Sequence, residues 1–230
     1  MRFEIITIFP NIFDSFLKTS IIKRARDKKL INIKIHNLRK WSTDKHKTID
    51  DKPYGGGVGM IFKVDLVYKA LKSLTLGKKN KQTIILLTPQ GKQFDQKMAK
   101  RLSKKDRLIF ICGRYEGFDY RIKKFVDEQI SIGPYVLNGG EVPAMALMEA
   151  VTRLLPKVIK EKSLKEDSFS FKKSTTNNQS VINIEYPQYT RPKVFTYKDK
   201  SGKVKTLKVP KILLSGNHAK IKEWKQGHIF

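Results

Sequence analysis

Three short stretches combine residue types that could do chemistry, and each follows an apolar run. TIILL passes into Thr88, Pro89, Gln90 and Gly91; LIFIC passes into GRYEG, with Gly113, Arg114, Tyr115, Glu116 and Gly117; QISIG passes into PYVLNGGEVPA, with Gly133, Pro134, Gly139, Gly140 and Pro143. Glycine admits close approach of a ligand or a second backbone, and proline fixes φ. A single glycine here would suit a plain turn before a helix. Loops of this kind after three apolar runs predict one pocket, in which backbone N–H and C=O groups do the binding.

A fourth stretch, DDKPYGGGVGM at 50–60, places Asp50 and Asp51 ahead of Gly55, Gly56, Gly57 and Gly59. It is no P-loop, because no Lys-Ser/Thr pair follows the glycines, and it lacks the strand-then-helix GxGxxG of a dinucleotide site. What remains is a glycine-rich loop that could serve as a lid or stand as a solvated surface loop. His36, His46, His218 and His228 show no HExxH or other ligand spacing, so no metal site is read from them. No Ser-His-Asp pattern supports hydrolysis. The single cysteine, Cys112, lies inside an apolar run and excludes both an internal disulfide and a multi-cysteine metal site.

The elements that must position these loops alternate along the first 160 residues. Phe3 to Ile8, INIKIH, TIILL and LIFIC read as strands; the stretches around VDLVYKALKSL, Phe94 to Leu102 and VPAMALMEAVTRLL carry one apolar stripe each and read as helices. Asn11 is placed to cap a further helix bearing Ile12, Phe13, Phe16 and Leu17. Alternation of this kind predicts an α/β fold with a parallel sheet. After Pro156 the sequence turns polar and loses both periods. The expected organisation is therefore a main domain over 1–160, a flexible linker or inserted loop over 161–184 and a small, mainly helical unit over 185–230, with Ser215 or Asn217 capping its terminal helix.

Among 230 residues, 48 Lys plus Arg against 21 Asp plus Glu leave a net charge of +27, the footprint of a protein that docks on phosphates. No apolar run approaches the roughly 20 residues of a membrane span, and MRFEIITIFP does not follow a secretory pattern. The expectation is a cytoplasmic protein with no membrane association.

DDKPYGGGVGM, LLTPQGKQFDQKMAKRL, LIFICGRYEGFDYRI, SIGPYVLNGGEVPAMALMEAVTRLLP, EDSF, EYPQYTRP and VPKILLSGNH stand in the order seen in bacterial tRNA (guanine-N1)-methyltransferases, which the chain resembles from its N-terminus to about Trp224. That family belongs to the SPOUT class. The resemblance implies a parallel sheet with a deep trefoil knot, a homodimer, S-adenosylmethionine as methyl donor and tRNA as substrate, methylated at N1 of the guanine just 3′ of the anticodon. It leaves room for Mg2+ as an assisting ion, with no ligand cluster to place it. Periodicity alone would have given an unknotted sheet.

By the same resemblance the cofactor contacts are Thr88 and Pro89; Gly113, Tyr115, Glu116 and Gly117; and Ile132, Gly133, Pro134, Tyr135, Val136, Leu137, Gly139 and Gly140. Asp50, Gly55, Gly56, Gly57 and Gly59 fall to substrate binding. Asp167 in EDSF matches the general base, and Arg153 in VTRLLP matches the residue that steadies the guanine oxygen. Without the resemblance, Asp167 would read as a solvated linker carboxylate and Arg153 as a surface charge. Pro134 stands where the family usually has aspartate, PKVIK replaces PGVLG, and FKKSTTNNQSVIN looks inserted. The inserted stretch motivates a second reading, a basic RNA-binding protein on the same fold that has lost catalysis.

Overall fold

The computed structural model describes residues 1–75, 81–165, 174–176, 179–181 and 186–228. The chain divides into two compact units, Met1–Lys160 and Glu161–Phe230. The first contains β1 (Arg2–Thr7), α1 (Asp14–Leu17), α2 (Ser20–Asp27), β2 (Asn32–Asn37), β3 (Asp50–Asp51), β4 (Ile61–Phe62), α3 (Val64–Leu74), β5 (Gln82–Gln93), α4 (Gln96–Leu102), β6 (Arg107–Cys112), β7 (Glu128–Ser131) and α5 (Glu141–Arg153). Five of the strands form one parallel sheet in the order β2-β1-β6-β5-β7.

Helices cover both faces of this sheet, which is why its strands are apolar runs without polar alternation. On one face Phe3, Ile5, Leu108 and Phe110 meet Ala144, Leu147, Met148 and Val151 of α5, together with Ile22 and Ala25 of α2. On the other, Ile6, Ile109 and Ile111 meet Leu66, Val67, Ala70 and Leu71 of α3. Successive residues of β6 thus feed opposite layers of the core. The buried carboxylate of Glu4 is met by Arg107 Nη2 at 3.0 Å and His36 Nε2 at 2.5 Å, so β1, β2 and β6 also share a polar tie.

The helix expected from Asn11 takes a different form. Pro10 opens a short 3-10 helix, Pro10–Phe13, whose cap position is Phe9, and α1 is only four residues long. Proline at the first helical position already removes one of the orphan N–H groups and presets φ, so the start falls ahead of Asn11.

The second unit contains α6 (Glu161–Lys165), β8 (Ser174–Thr176), β9 (Gln179–Val181), β10 (Val194–Lys198), β11 (Val204–Lys208) and α7 (His218–Gly227). Short elements therefore occupy part of the stretch read as linker, with β8 and β9 paired antiparallel. The mainly helical expectation for 185–230 needs correction too, because β10 and β11 form an antiparallel hairpin. Val194, Phe195, Thr196 and Tyr197 are strong strand formers, and the turn after them is closed by Asp199, which accepts from the backbone N–H groups of Ser201 and Lys203. Asn217 caps α7 by accepting from Lys220 N.

β5 departs from regular pairing in a way that shapes the site. Leu87 and Lys92 both align with Ile130 of β7, so Thr88–Gly91 bulges out of the ladder and the strand then resumes. A Cβ on Gly91 would lie 2.6 Å from the carbonyl carbons of Gln129 and Ile130, which are backbone and cannot yield. Gly91→Ala is expected to lower the urea midpoint of the full chain by the equivalent of about 1–3 kcal/mol. Gln90→Ala, one residue away and exposed, should leave that midpoint in place by circular dichroism.

Candidate active site

The carboxyl ends of β5, β6 and β7 open into a cleft of about 360 Å³. Its walls are the three loops singled out by their glycines. Thr88 and Pro89 come from the bulge in β5; Gly113, Tyr115, Glu116 and Gly117 from the loop after β6; and Ile132, Gly133, Tyr135, Val136, Leu137, Gly139 and Gly140 from the loop after β7. Pro134 is exposed and does not line the cleft.

Local backbone chemistry holds each wall. In the β6 loop Tyr115 adopts φ +59° and Gly117 φ +96°, and Gly117 N donates to Arg114 O at 3.0 Å. In the β7 loop Ser131 Oγ donates to Gly133 O at 3.0 Å, while the Tyr135 ring lies where a Cβ on Gly133 would stand. The two loops are joined: Gly140 N donates to Gly113 O at 2.9 Å, and Arg114 and Gly139 form an isolated antiparallel bridge. A Cβ on Gly140 would fall 2.7 Å from Cys112 Cα and 3.1 Å from Gly113 N, so only glycine permits this approach.

Two charged residues that the motif reading passed over organise the join. Glu141, in the first turn of α5 and only 1% exposed, accepts from Thr7 Oγ1 at 2.7 Å and from Arg114 Nε at 3.0 Å. Arg114 in turn lies over the Phe9 ring, its guanidinium carbon 4.7 Å from the centroid. One carboxylate thus ties the end of β1, the β6 loop and the start of α5. A glutamate directly after two glycines at the head of an apolar helix was the available signal, since a carboxylate there complements the helix dipole. Burial pushes the Cys112 thiol well above its usual range, and the nearby Glu141 carboxylate pushes it further.

Asp119, Tyr120 and Lys123 also line the cleft. The Arg121 guanidinium holds the Asp119 carboxyl below the usual carboxylate range, with Nε–Oδ1 2.9 Å and Nη2–Oδ2 2.6 Å. Lys123 Nζ donates to Gln90 Oε1 at 3.2 Å and so connects this segment to the β5 bulge.

The glycine-rich stretch forms the tip of a small hairpin in which Asp50 pairs with Phe62 and Asp51 with Ile61. Gly55, Gly56, Gly57 and Gly59 all have φ between +83° and +130°, and Tyr54 is fully exposed. None of them lines the cleft, yet the hairpin is fastened to its β6 wall: Glu116 N donates to Met60 O at 3.2 Å and Phe62 N to Gly117 O at 3.0 Å. A Cβ on Gly59 would meet Glu116 Cγ at 2.6 Å.

Arg153 is the last residue of α5, whereas the cleft lies at the first. At 1.5 Å per residue the two ends of this 13-residue helix are roughly 20 Å apart. Asp167 lies outside the described residues. Among the described residues no group of three or more His, Cys, Asp and Glu is placed to hold a metal ion, and no helix is long and apolar enough to cross a membrane.

A parallel α/β sheet with a glycine-walled cleft beyond three strand ends is the architecture of a class of α/β proteins that bind small ligands at their strand ends. Residues 1–229 match the tRNA (Guanine-1)-methyltransferase TrmD family, and the chain belongs to that family. It is 48% identical over 227 residues to the tRNA (guanine-N(1)-)-methyltransferase of Dictyoglomus turgidum, covering 98% of this chain and 84% of that one. It is 45% identical over 227 residues to the protein of the same name from Bacillus subtilis, covering 98% and 86%. With the protein of that name from Mycoplasmopsis synoviae the identity is 44% over 225 residues, covering 98% and 90%.

The thiol's environment gives a direct check on the join. Cys112 in the folded chain should resist alkylation by iodoacetamide at mildly alkaline pH and react quickly in denaturant. Glu141→Ala, which unties the β6 loop from α5, should raise the folded-state alkylation rate; equal rates for both proteins would show that the carboxylate does not hold the loop closed.

Proposed function

We propose that this chain methylates N1 of the guanine just 3′ of the anticodon, position 37 of tRNA, using S-adenosylmethionine. The observation that carries the reading is the convergence of the three glycine loops on one cleft in a chain whose relatives bear this activity in their names. The second reading, an inactive RNA-binding protein on the same fold, draws no support from those relatives.

The cleft suits the cofactor chemically. Leu87, Ile132 and Leu137 offer apolar surface, Tyr115 and Tyr135 offer aromatic faces, and the glycine turns leave N–H and C=O groups accessible for a purine edge. When bound there, S-adenosylmethionine supplies an electrophilic methyl group. Thr88, Pro89 and the residues of the β6 and β7 loops would hold it, and Gly113 and Gly140 keep the walls close enough to do so. Pro134 keeps the turn tight without a contact of its own.

The substrate side requires removal of a proton, because guanine N1 is protonated and a poor nucleophile. Asp167 is assigned as the base. An unperturbed aspartate has a pKa of about 3.9, so the site has to raise it by desolvation or make the guanine more acidic. Arg153 is assigned the second task, stabilising charge that builds on O6 as the proton leaves. Asp50 and the glycines of the β3–β4 hairpin are assigned to the substrate, on the strength of their attachment to the Glu116 wall. Among the described residues no acidic cluster fits Mg2+, and no step is given to it.

The homodimer belongs to the same proposal. Arg153 sits a helix length from its own cleft, so a second copy that brings its α5 end to the first cleft would complete the site. Tyr135, Val136, Leu137 and Val142 are exposed apolar residues beside the cleft, a surface for that copy to cover. SPOUT class, trefoil knot, a C-terminal unit that docks tRNA and a cytoplasmic location complete the reading. The return of the β7 loop onto Gly113 is compatible with the knot, and the class rests on family membership.

Three outcomes test this. Gly140→Val should abolish S-adenosylmethionine binding in calorimetry, and unchanged affinity would remove the cleft from the mechanism. Asp167→Asn should reduce methyl transfer to a tRNA transcript by about 10² or more with cofactor affinity intact. Mixing it with Arg153→Ala should restore part of the activity, since a heterodimer holds one site with both residues normal. No recovery despite demonstrated subunit exchange would return the site to a single chain.

A further inference from the structure

The β10–β11 hairpin has no place in the cleft chemistry, and its side chains are unusual for an exposed element. Direct cross-strand partners point to one face, so Phe195 with Leu207 and Tyr197 with Lys205 share a surface, while Thr196 and Thr206 share the other and contact through their hydroxyls at 3.4 Å. The Phe195 and Tyr197 rings are stacked, with centroids 5.8 Å apart and planes within 10°. Phe195 is 53% and Leu207 59% exposed. Among residues 186–228 no side chain is buried, and both rings stand open to solvent.

Charge tells what would cover the face. Residues 193–208 contain six lysines and one acid, Asp199. That one carboxylate is spent on the turn: it accepts from Ser201 N, Ser201 Oγ and Lys203 N, and the Ser201 hydroxyl holds its pKa below the usual range. Lys205 stands directly across from Tyr197 with its Nζ 4.0 Å from Asp199 Oδ2, and this one acid leaves the hairpin with a large excess of cations. Stacked aromatic rings on a strand surface, interleaved with cations, match a partner that offers flat apolar faces and phosphates together. Unpaired nucleotides do so, whereas a duplex keeps its bases stacked inside and displays phosphate and ribose.

We propose that the Phe195–Tyr197 face is a stacking platform for unpaired bases of the RNA substrate, with Lys205 and its neighbours on the adjoining phosphates. This rests on the tRNA substrate proposed above and adds a recognition surface to those of the cleft. The rings are already stacked on each other, so a base can extend the stack with little ordering of side chains.

The test uses the full chain and a labelled tRNA transcript, with anisotropy for affinity and methyl transfer for rate. Phe195→Ala and Tyr197→Ala should each weaken tRNA binding by about fivefold or more, the lower end of what stacking on an aromatic ring contributes. KM for tRNA should rise while kcat at saturating tRNA and S-adenosylmethionine affinity stay unchanged. Tyr197→Phe should bind like the parent. Lys205→Ala should reduce the slope of log affinity against log salt by about 0.7. A single-stranded oligonucleotide should bind the parent better than a duplex of equal length, and the double alanine variant should lose that preference. Unchanged tRNA affinity in the double variant would overturn the platform; a lower oligomeric mass in its place would give the face to a second copy and overturn it equally. A parent chain that binds RNA through these rings and transfers no methyl group would sink the proposed activity alone.

Discussion

The contact on which the site depends is the approach of one backbone to another, Gly140 against Cys112 and Gly113. Its N–H is satisfied by Gly113 O at 2.9 Å, and no side chain fits between the two chains. Because Gly140 immediately precedes α5, this contact fixes where the helix starts, and α5 in turn packs Ala144, Leu147, Met148 and Val151 into the larger core layer. Glu141 adds direction to the contact. Its buried carboxylate meets Thr7 and Arg114, so any shift of α5 along the sheet would leave a buried charge without partners, an arrangement that costs several kcal/mol.

From that join the cleft follows. The β6 loop is held below by Cys112 and beside by Gly139 and Gly140; the β7 loop has to close over it to reach α5; and the β5 bulge at Thr88–Gly91 is fixed by the return of Lys92 to the Ile130 register. Walls made this way are largely backbone. Their positions are set by the sheet and not by side-chain rotamers, which suits a site that grips a polar ligand through N–H and C=O groups. The hairpin of the four positive-φ glycines is fastened to the loop after β6 by three main-chain hydrogen bonds, Glu116 N to Met60 O, Phe62 N to Gly117 O and Asp119 N to Phe62 O.

The two units obey different physics. Residues 1–160 bury apolar layers on both sides of a sheet, and that burial is the dominant stabilising term. Residues 186–228 of the second unit have no buried side chain and are held by a hairpin ladder, the Tyr189–Trp224 and Trp224–His228 ring contacts and the Lys225–Tyr186 hydrogen bond at 3.0 Å.

The sequence by itself determined the parallel α/β architecture, because strands buried on both faces must be continuous apolar runs and helices between them must show one stripe. It also marked the three cleft walls, because glycine and proline are needed locally wherever a chain turns sharply at a strand end. Tertiary structure decided what depends on distant partners. Glu141, 134 residues from Thr7 and 27 from Arg114, becomes the tie of the site only when β1, β6 and α5 meet. Pro134 sits inside the right motif yet is exposed and does not line the cleft. The β10–β11 hairpin escaped the periodicity reading because lysines fill the places where an apolar alternation would show, so that pairing and turn hydrogen bonds, not burial, define it. Arg153 follows the glycine loop closely in sequence, and the length of α5 sets it at the opposite end of that helix from Glu141.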